Sequence, residues 1–217
     1  MPDSIWAVPY RRLTVGIVGV LLLVAFESMA VATAMPVVAR ELGGLAWYAW
    51  AFSTFLATSL AGMVLAGYLS DRSGPAGPFY AGLGLFSAGL VIAGLAPSMS
   101  VLVVGRAVQG VGAGLNVVAV YVVVARAYPA ALRPRVFAAM ASAWVLPSLV
   151  GPPVAGLLAD HVSWRAVFLV VAPLVVLAGL LMWPGLQQSR GHSDEPIPVG
   201  PAGEAAAGRR WPGVILT

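Results

Sequence analysis

Two charged residues stand where charges are costly. Glu27 lies inside an apolar run that begins at Leu13, and Arg106 lies inside another that begins at Ser100. A charge at the centre of a bilayer costs roughly 3 kcal/mol on insertion scales, so each needs a cavity or a partner. Glu27 falls ~21 Å from the boundary at Leu13, counting ~1.5 Å per helical residue. Arg106 falls ~10 Å from the opposite boundary by the same rise. The sum is ~31 Å, close to the ~30 Å thickness of a hydrocarbon core, which puts the two at similar depth. Two readings fit: a site that exchanges a proton for another ligand, or a structural ion pair that holds two helices in register. Arg106 also shares an arc of roughly 80° with Gln109, Ala113 and Asn116, at 100° per residue. Such a polar stripe on an apolar helix is expected to face a water-filled cavity. Interhelical hydrogen bonding, worth only ~0.6 kcal/mol per bond, is the alternative. Gly110 and Gly114 on the same helix allow a neighbour to approach closely.

Other groups are less decisive. Gly67-Tyr68-Leu69-Ser70-Asp71-Arg72-Ser73-Gly74 closes an apolar run. Asp71 there follows a helix C-terminus, where the helix dipole disfavours an anion. It needs compensation, from Arg72 or from another helix's N-terminus, unless the loop is a simple solvated turn. Pro147, Gly151-Pro152-Pro153 and Gly156 fall in one later run. Proline removes backbone hydrogen bonds and kinks a helix. That suits either a pliable helix in a moving bundle or static packing. Trp47, Tyr48 and Trp50 read as an interfacial aromatic belt. Phe52, Phe55, Met140 and Trp144 at helical spacing read as core or lipid contacts, with a ligand-lining surface as the sharper alternative. His161 and His192 lie in expected loops without companions, so no metal is assigned. The chain has no Cys, which excludes disulfides, thiolate metal sites and a Cys nucleophile.

The elements that must position these groups follow from composition. Apolar residues make up 60% of the 217 and charged residues 9%, where soluble domains carry roughly 25% charge. A bilayer must supply much of the solvent. Six spans are expected, at 13–36, 47–70, 78–96, 100–125, 136–159 and 165–184. Each is near the ~20 residues that cross the hydrocarbon as a helix. Lipid cannot satisfy open backbone groups, and the runs are continuously apolar instead of alternating as in a barrel. The fold class is therefore an all-α membrane protein, with a six-helix bundle over 1–184. A Gly-, Pro- and charge-rich stretch at 185–210 reads as a cytoplasmic linker, and the apolar 211–217 reads as the start of a seventh span. Arg11 and Arg12 before the first run could suggest a signal peptide, but the run is too long and holds Glu27.

All twelve basic residues are Arg, which with the Ala, Val and Gly content points to a GC-rich bacterial genome. With both ends inside, nine of them (at 11, 12, 72, 126, 133, 135, 190, 209 and 210) lie on the cytoplasmic side, against Arg40 and Arg165 outside. That is a clear positive-inside bias. The formal charge of +4 is scattered and forms no nucleic-acid face. Ala66-Gly67-Tyr68-Leu69-Ser70-Asp71-Arg72 recurs 89 residues on as Ala155-Gly156-Leu157-Leu158-Ala159-Asp160-His161. The copies close the second and fifth spans on opposite sides. Two three-helix units of opposite orientation are the pattern of an inverted-repeat transporter.

These motifs resemble the major facilitator superfamily, and within it the bacterial drug–proton antiporter branch. The 67–74 segment is similar to the family's signature between its second and third helices. Arg106-Ala-Val-Gln109-Gly110-Val-Gly112-Ala-Gly114 is similar to its fourth-helix motif, whose Arg is implicated in proton coupling. Gly151-Pro152-Pro-Val-Ala-Gly156 resembles the fifth-helix motif of exporters, and Ser163-Trp164-Arg165 with Phe168 and Pro173 resembles the start of helix six. The sequence departs from the family in three places. Pro75-Ala76-Gly77-Pro78 replaces the usual basic residues, Ser148 stands in the region of an upstream glycine, and the first helix carries Glu27 where many relatives have Asp. Family members have twelve or fourteen helices, so the chain would be an N-terminal half.

The resemblance implies a proton-coupled exporter of small hydrophobic or cationic compounds. Glu27, Arg106, Gln109 and Asn116 would form its proton and substrate site. Gly67, Asp71, Arg72, Gly74, Gly151, Pro152 and Gly156 would serve gating. The expected partners are the lipid bilayer, protons, a small-molecule substrate, and a second six-helix half or a copy of the chain. The expected location is a bacterial inner membrane with both termini cytoplasmic. No cofactor is called for. No hydrolase constellation or phosphate-binding loop is visible, which argues against an enzyme or ATP-driven pump. The alternatives are an uptake carrier of the same superfamily and a non-transporting remnant or half-subunit.

Overall fold

The computed structural model describes residues 4–182, and no strand occurs among them. The helices are α1 (Val8–Glu41), α2 (Tyr48–Ser73), α3 (Ala76–Gly94), α4 (Met99–Ala127), α5 (Arg133–His161), α6 (Trp164–Leu169) and α7 (Val171–Leu181). A single 3₁₀ turn, Leu45–Trp47, leads into α2. α6 and α7 join at Val170 to make one crossing, so six segments are long and apolar enough to span a membrane. The expected linker at 185–210 and seventh-span start at 211–217 lie outside the described residues.

The helices outrun the apolar stretches that announced them. α1 has 34 residues, ~51 Å at 1.5 Å per residue, against ~30 Å of hydrocarbon. It continues through Arg11 and Arg12 at one end and Arg40 at the other. Hydropathy marks the part that lipid covers, whereas the helix goes on wherever no breaker intervenes. Pro9 stands in the first turn, where the missing N–H has no intrahelical partner to lose. Ser98 caps α4 by accepting the Val101 N–H, and Ser163 caps α6 by accepting the Arg165 N–H. Pro147, Pro152 and Pro153 all sit inside α5, which is assigned as one helix.

Small residues set the packing. α4 lies between α2 and α3 and touches both along most of its length. A Cβ placed on Gly112 would lie 2.6 Å from the Gly82 carbonyl oxygen, and one on Gly114 would overlap the Ser59 carbonyl. Only glycine lets the three backbones approach this closely. α1, in turn, packs chiefly on α5 and then on α7, while α1 and α4 barely meet. The second and third helices of each three-helix unit thus embrace the first helix of the other. Three is an odd number of crossings, so the second unit starts from the opposite face and is inverted. The sequence repeat occupies equivalent places in the two units. Ala66 and Ala155 are both fully buried, whereas a Cβ on Gly67 or on Gly156 would meet nothing within 4 Å.

Both ends of the bundle are tied. At one end the Tyr128 hydroxyl lies 2.8 Å from Thr14 Oγ1, which reaches the carbonyls of Ile5 at 2.9 Å and Tyr10 at 3.0 Å. The ring of Tyr10 stacks on that of Tyr128 at 5.1 Å between centroids. Burial holds the Tyr128 phenol above its ordinary pKa, so it stays a neutral donor. Thr14 has one proton and serves as donor to the carbonyls and acceptor from Tyr128. Removing it strands more than removing the phenol hydroxyl does. Thr14→Val should therefore destabilise the chain by ~1–3 kcal/mol and Tyr128→Phe by ~1 kcal/mol. Unfolding of the purified variants in detergent checks the order, and a larger loss for Tyr128→Phe would contradict the assigned directions. At the other end Trp164 Nε1 donates to Glu41 at 2.8 Å. Arg165 donates to the carbonyls of Gly94 and Ala96 at 3.0 and 2.9 Å. A cation there complements the C-terminus of α3.

Candidate functional site

The site starts from two buried stripes. On α1, Val24, Glu27, Ala30, Val31 and Ala34 are all buried, the i, i+3, i+4, i+7 spacing of an inward helix face. On α4, Arg106 shares its buried face with Leu102, Gln109 and Ala113. Where the stripes come together, Arg106 Nη1 donates to Glu27 Oε1 at 2.7 Å, a charge-assisted bond with the two residues 3% and 0% exposed. The same nitrogen donates to Gln109 Oε1 at 2.9 Å, and Arg106 Nε donates to the Ala51 carbonyl at 3.3 Å. The guanidinium carbon stands 4.1 Å from the centroid of the Phe55 ring. Two opposite charges removed from water need both mutual attraction and further hydrogen bonds, and Arg106 has them on α1, α2 and α4.

Glu27 is less completely served. Its second oxygen is buried and has no hydrogen-bond partner among the described residues, and the same holds for Gln109 Nε2. A carboxyl with one oxygen on a cation and one oxygen free can take up a proton or accept a donor from a ligand. Asn116 does not join this group. It lies two turns along α4 with its oxygen close to Gly82 of α3, and its amide nitrogen and oxygen lack partners among the described residues.

The expectation that the stripe from Arg106 to Asn116 lines a water-filled cavity is corrected here. Arg106, Gln109 and Asn116 are 3%, 0% and 3% exposed. Gly82 and Gly89 bring α3 onto that face, so close that a Cβ on Gly89 would lie 2.7 Å from the Gln109 Cβ. The polar groups are covered by helix, not by water. An open concavity lies elsewhere, between α1, α4 and α5. It is a groove of about 540 Å³ lined by Leu21, Val117, Tyr121, Phe137, Met140 and Trp144. Tyr121 and Phe137 stack there at 5.6 Å. Of the four aromatic and Met positions singled out in the sequence, Met140 and Trp144 reach this groove, Phe55 lies under Arg106, and Phe52 packs on Tyr48 at 5.5 Å.

The gating candidates divide as well. Gly74 ends α2 with φ at 81°, a conformation that favours glycine. Asp71 is exposed and forms no ion pair among the described residues. Arg72 does not pair with it. Arg72 instead lies over the Tyr68 ring at 4.2 Å, a cation–π contact. Gly151 touches α1, where an added Cβ would lie 3.1 Å from the Met29 Cβ; Pro152 follows it, half-buried; and Gly156 faces open space. Among the described residues no group of three His, Asp or Glu side chains is placed to hold a metal, and His192 lies outside them. The Ala51 carbonyl left no trace in the sequence, since every residue has one. Phe55 left a faint one: it stands four residues after Ala51, one turn along the same face of α2.

The sequence profile of the Major Facilitator Superfamily matches residues 17–215. The multidrug transporter protein MdtP of Bacillus subtilis is 29% identical over 175 residues, covering 81% of this chain and 32% of its own. Multidrug resistance protein 3 of the same organism is 29% identical over 182 residues, covering 84% and 36%. A probable multidrug-efflux transporter of Mycobacterium tuberculosis is 28% identical over 199 residues, covering 92% and 41%. The chain thus spans about a third of the length of the first curated relatives it matches. In fold it is similar to a crystal structure of the peptide transporter POT, with a TM-score of 0.69 at 19% identity over 90% of this chain and 42% of that one. It is also similar to the inward-open xylose transporter XylE of E. coli, with a TM-score of 0.61 at 18% identity over 90% and 53%.

Proposed function

The chain belongs to the Major Facilitator Superfamily, and on that premise we propose that it is the N-terminal six-helix half of a proton-coupled exporter of small hydrophobic or cationic compounds. The observation that carries this reading is the buried Glu27–Arg106 pair with one carboxylate oxygen unserved. Intramembrane ionisable groups are functional more often than not, and a carboxyl with a free oxygen suits an exchanging acid. Glu27 takes the proton, Arg106 neutralises its conjugate base, and Gln109 accepts a second hydrogen bond from Arg106. Asn116 belongs to the same polar stripe without touching the pair.

The groove between α1, α4 and α5 supplies the substrate surface. Tyr121, Phe137 and Trp144 offer ring faces that attract planar apolar compounds and cations alike. The names of the Bacillus and Mycobacterium relatives favour efflux of several drugs over uptake of one nutrient. Gly67, Asp71, Arg72 and Gly74 at the end of α2, and Gly151, Pro152 and Gly156 on α5, move against the other half during gating. The whole sits in a bacterial inner membrane with both termini inside.

The function is tested in vesicles holding the complete transporter: a lipophilic cation presented from the cytoplasmic side should drive protons the other way. Vesicles in which the cation moves without any proton movement would overturn the coupling. The orientation has its own test. Cysteines placed at 126–135 and at 187–208 should react with a membrane-impermeant reagent only from the cytoplasmic side, and reaction of either from outside would reverse the assignment.

A further inference from the structure

We propose that Phe55 and the Ala51 carbonyl form a cradle on α2 that keeps Arg106 in place whatever the charge on Glu27. Glu27 can then exchange its proton without releasing the guanidinium. The functional meaning of this cradle rests on the reading of Glu27 as the exchanging acid; its existence does not.

Four groups surround Arg106, and only Glu27 among them is ionised. The others are the Ala51 carbonyl at 3.3 Å, the Gln109 amide oxygen at 2.9 Å and the Phe55 ring at 4.1 Å. No second carboxylate pairs with the guanidinium among the described residues. If Glu27 were the sole counterweight, its protonation would leave a buried cation uncompensated, and the site would have to open or collapse. The three neutral supports prevent that. Ala51 is fully buried, and a carbonyl has two lone pairs, so Arg106 can use the one that the α2 ladder leaves free. The ring of the half-buried Phe55 faces a guanidinium that is itself 3% exposed, and such contacts gain as the cation is desolvated.

The sequence builds the cradle from spacing. Ala51 and Phe55 are one helical turn apart and share a face. Gly110, one turn beyond Arg106 on α4, lets α2 come close enough: a Cβ there would lie 3.1 Å from the Phe55 carbonyl carbon and would overlap Thr58 Oγ1. α2 is thus held against Arg106 by the α4 glycine next to it.

A double-mutant cycle on the 217-residue chain in lipid nanodiscs tests this, with the unfolding equilibrium as readout. Glu27→Gln alone should shift the equilibrium little, because the cradle still holds the cation. In the Phe55→Leu background the same substitution should cost about tenfold more. Phe55→Tyr should restore the wild-type response. Additive effects, or a Tyr variant that behaves like Leu, would reduce Phe55 to ordinary packing and overturn the proposal. Should the Leu variant fail to fold, fluorinated phenylalanines at position 55 keep the volume and weaken the ring face in steps. The cost of Glu27→Gln should then rise with each added fluorine, and a flat series overturns the proposal equally. The cycle needs no transport, so an additive result removes the cradle and leaves the exporter reading intact. A transporter that still couples protons without Glu27 removes the exchange role and leaves the cradle.

Discussion

Glu27→Gln in the complete transporter should reduce substrate-driven proton movement to background while the protein still inserts and accumulates. The amide has the shape of the carboxyl and can still accept the Arg106 hydrogen bond that the structure shows at 2.7 Å. What it lacks is a titrating proton. Coupled export should therefore vanish, whereas exchange of substrate for substrate, which needs no net proton, should persist. The rival reading, in which the pair only holds α1 and α4 in register, makes the opposite forecast. There the amide either weakens the fold, lowering every mode of transport together, or changes nothing. Proteoliposomes with a trapped pH indicator, compared with counterflow of labelled substrate in the same preparation, separate the cases. Retained proton coupling in the Gln variant would sink the exchange role of Glu27. Equal loss of both modes would favour the structural one.

The proximity of Glu27 and Arg106 was legible because charges in lipid are few and their depth can be counted along a helix. Gln109 was legible for the same reason, one turn from Arg106. What the arc of α4 could not disclose was its neighbour. Angular arithmetic says that Arg106, Gln109 and Asn116 share a side; it does not say that Gly82 and Gly89 let α3 cover that side. The expected cavity was therefore misplaced, and the open groove formed instead around Tyr121 and Trp144, where α1 and α4 diverge. The full length of the helices was not legible either. Apolar runs end at the membrane surface, but α1 keeps its hydrogen bonds through Arg11, Arg12 and Arg40. Asp71 shows the third kind of blindness. Its need for compensation could be argued from the helix dipole, yet no described residue supplies an ion pair.

The 217-residue chain by itself, as a monomer in liposomes, should show no substrate-driven proton flux. Alternating access needs a pathway walled by two bundles that rock against each other, and six helices provide one wall. The reason is not the polar stripe, which is buried within the bundle and leaves no charge facing lipid at that level. Insertion and folding of the isolated chain are thus expected. The deficit lies on α2 and α5, the helices least covered by the rest of the structure. Val64 on α2 is 77% exposed and Leu149 on α5 is 76% exposed. Lipid tolerates such apolar faces, so they do not unfold the chain, but a lipid-covered groove cannot pass a substrate from one side to the other. Asp71 at the end of α2 likewise forms no ion pair among the described residues. A second bundle, from another chain or from a second copy, would supply the missing wall. Flux measured on a preparation shown to be monomeric would refute this, and would mean that six helices enclose a complete pathway. Flux that appears only with dimers, together with crosslinks between copies through cysteines placed near Asp71, would assign the chain to a self-assembling half-transporter.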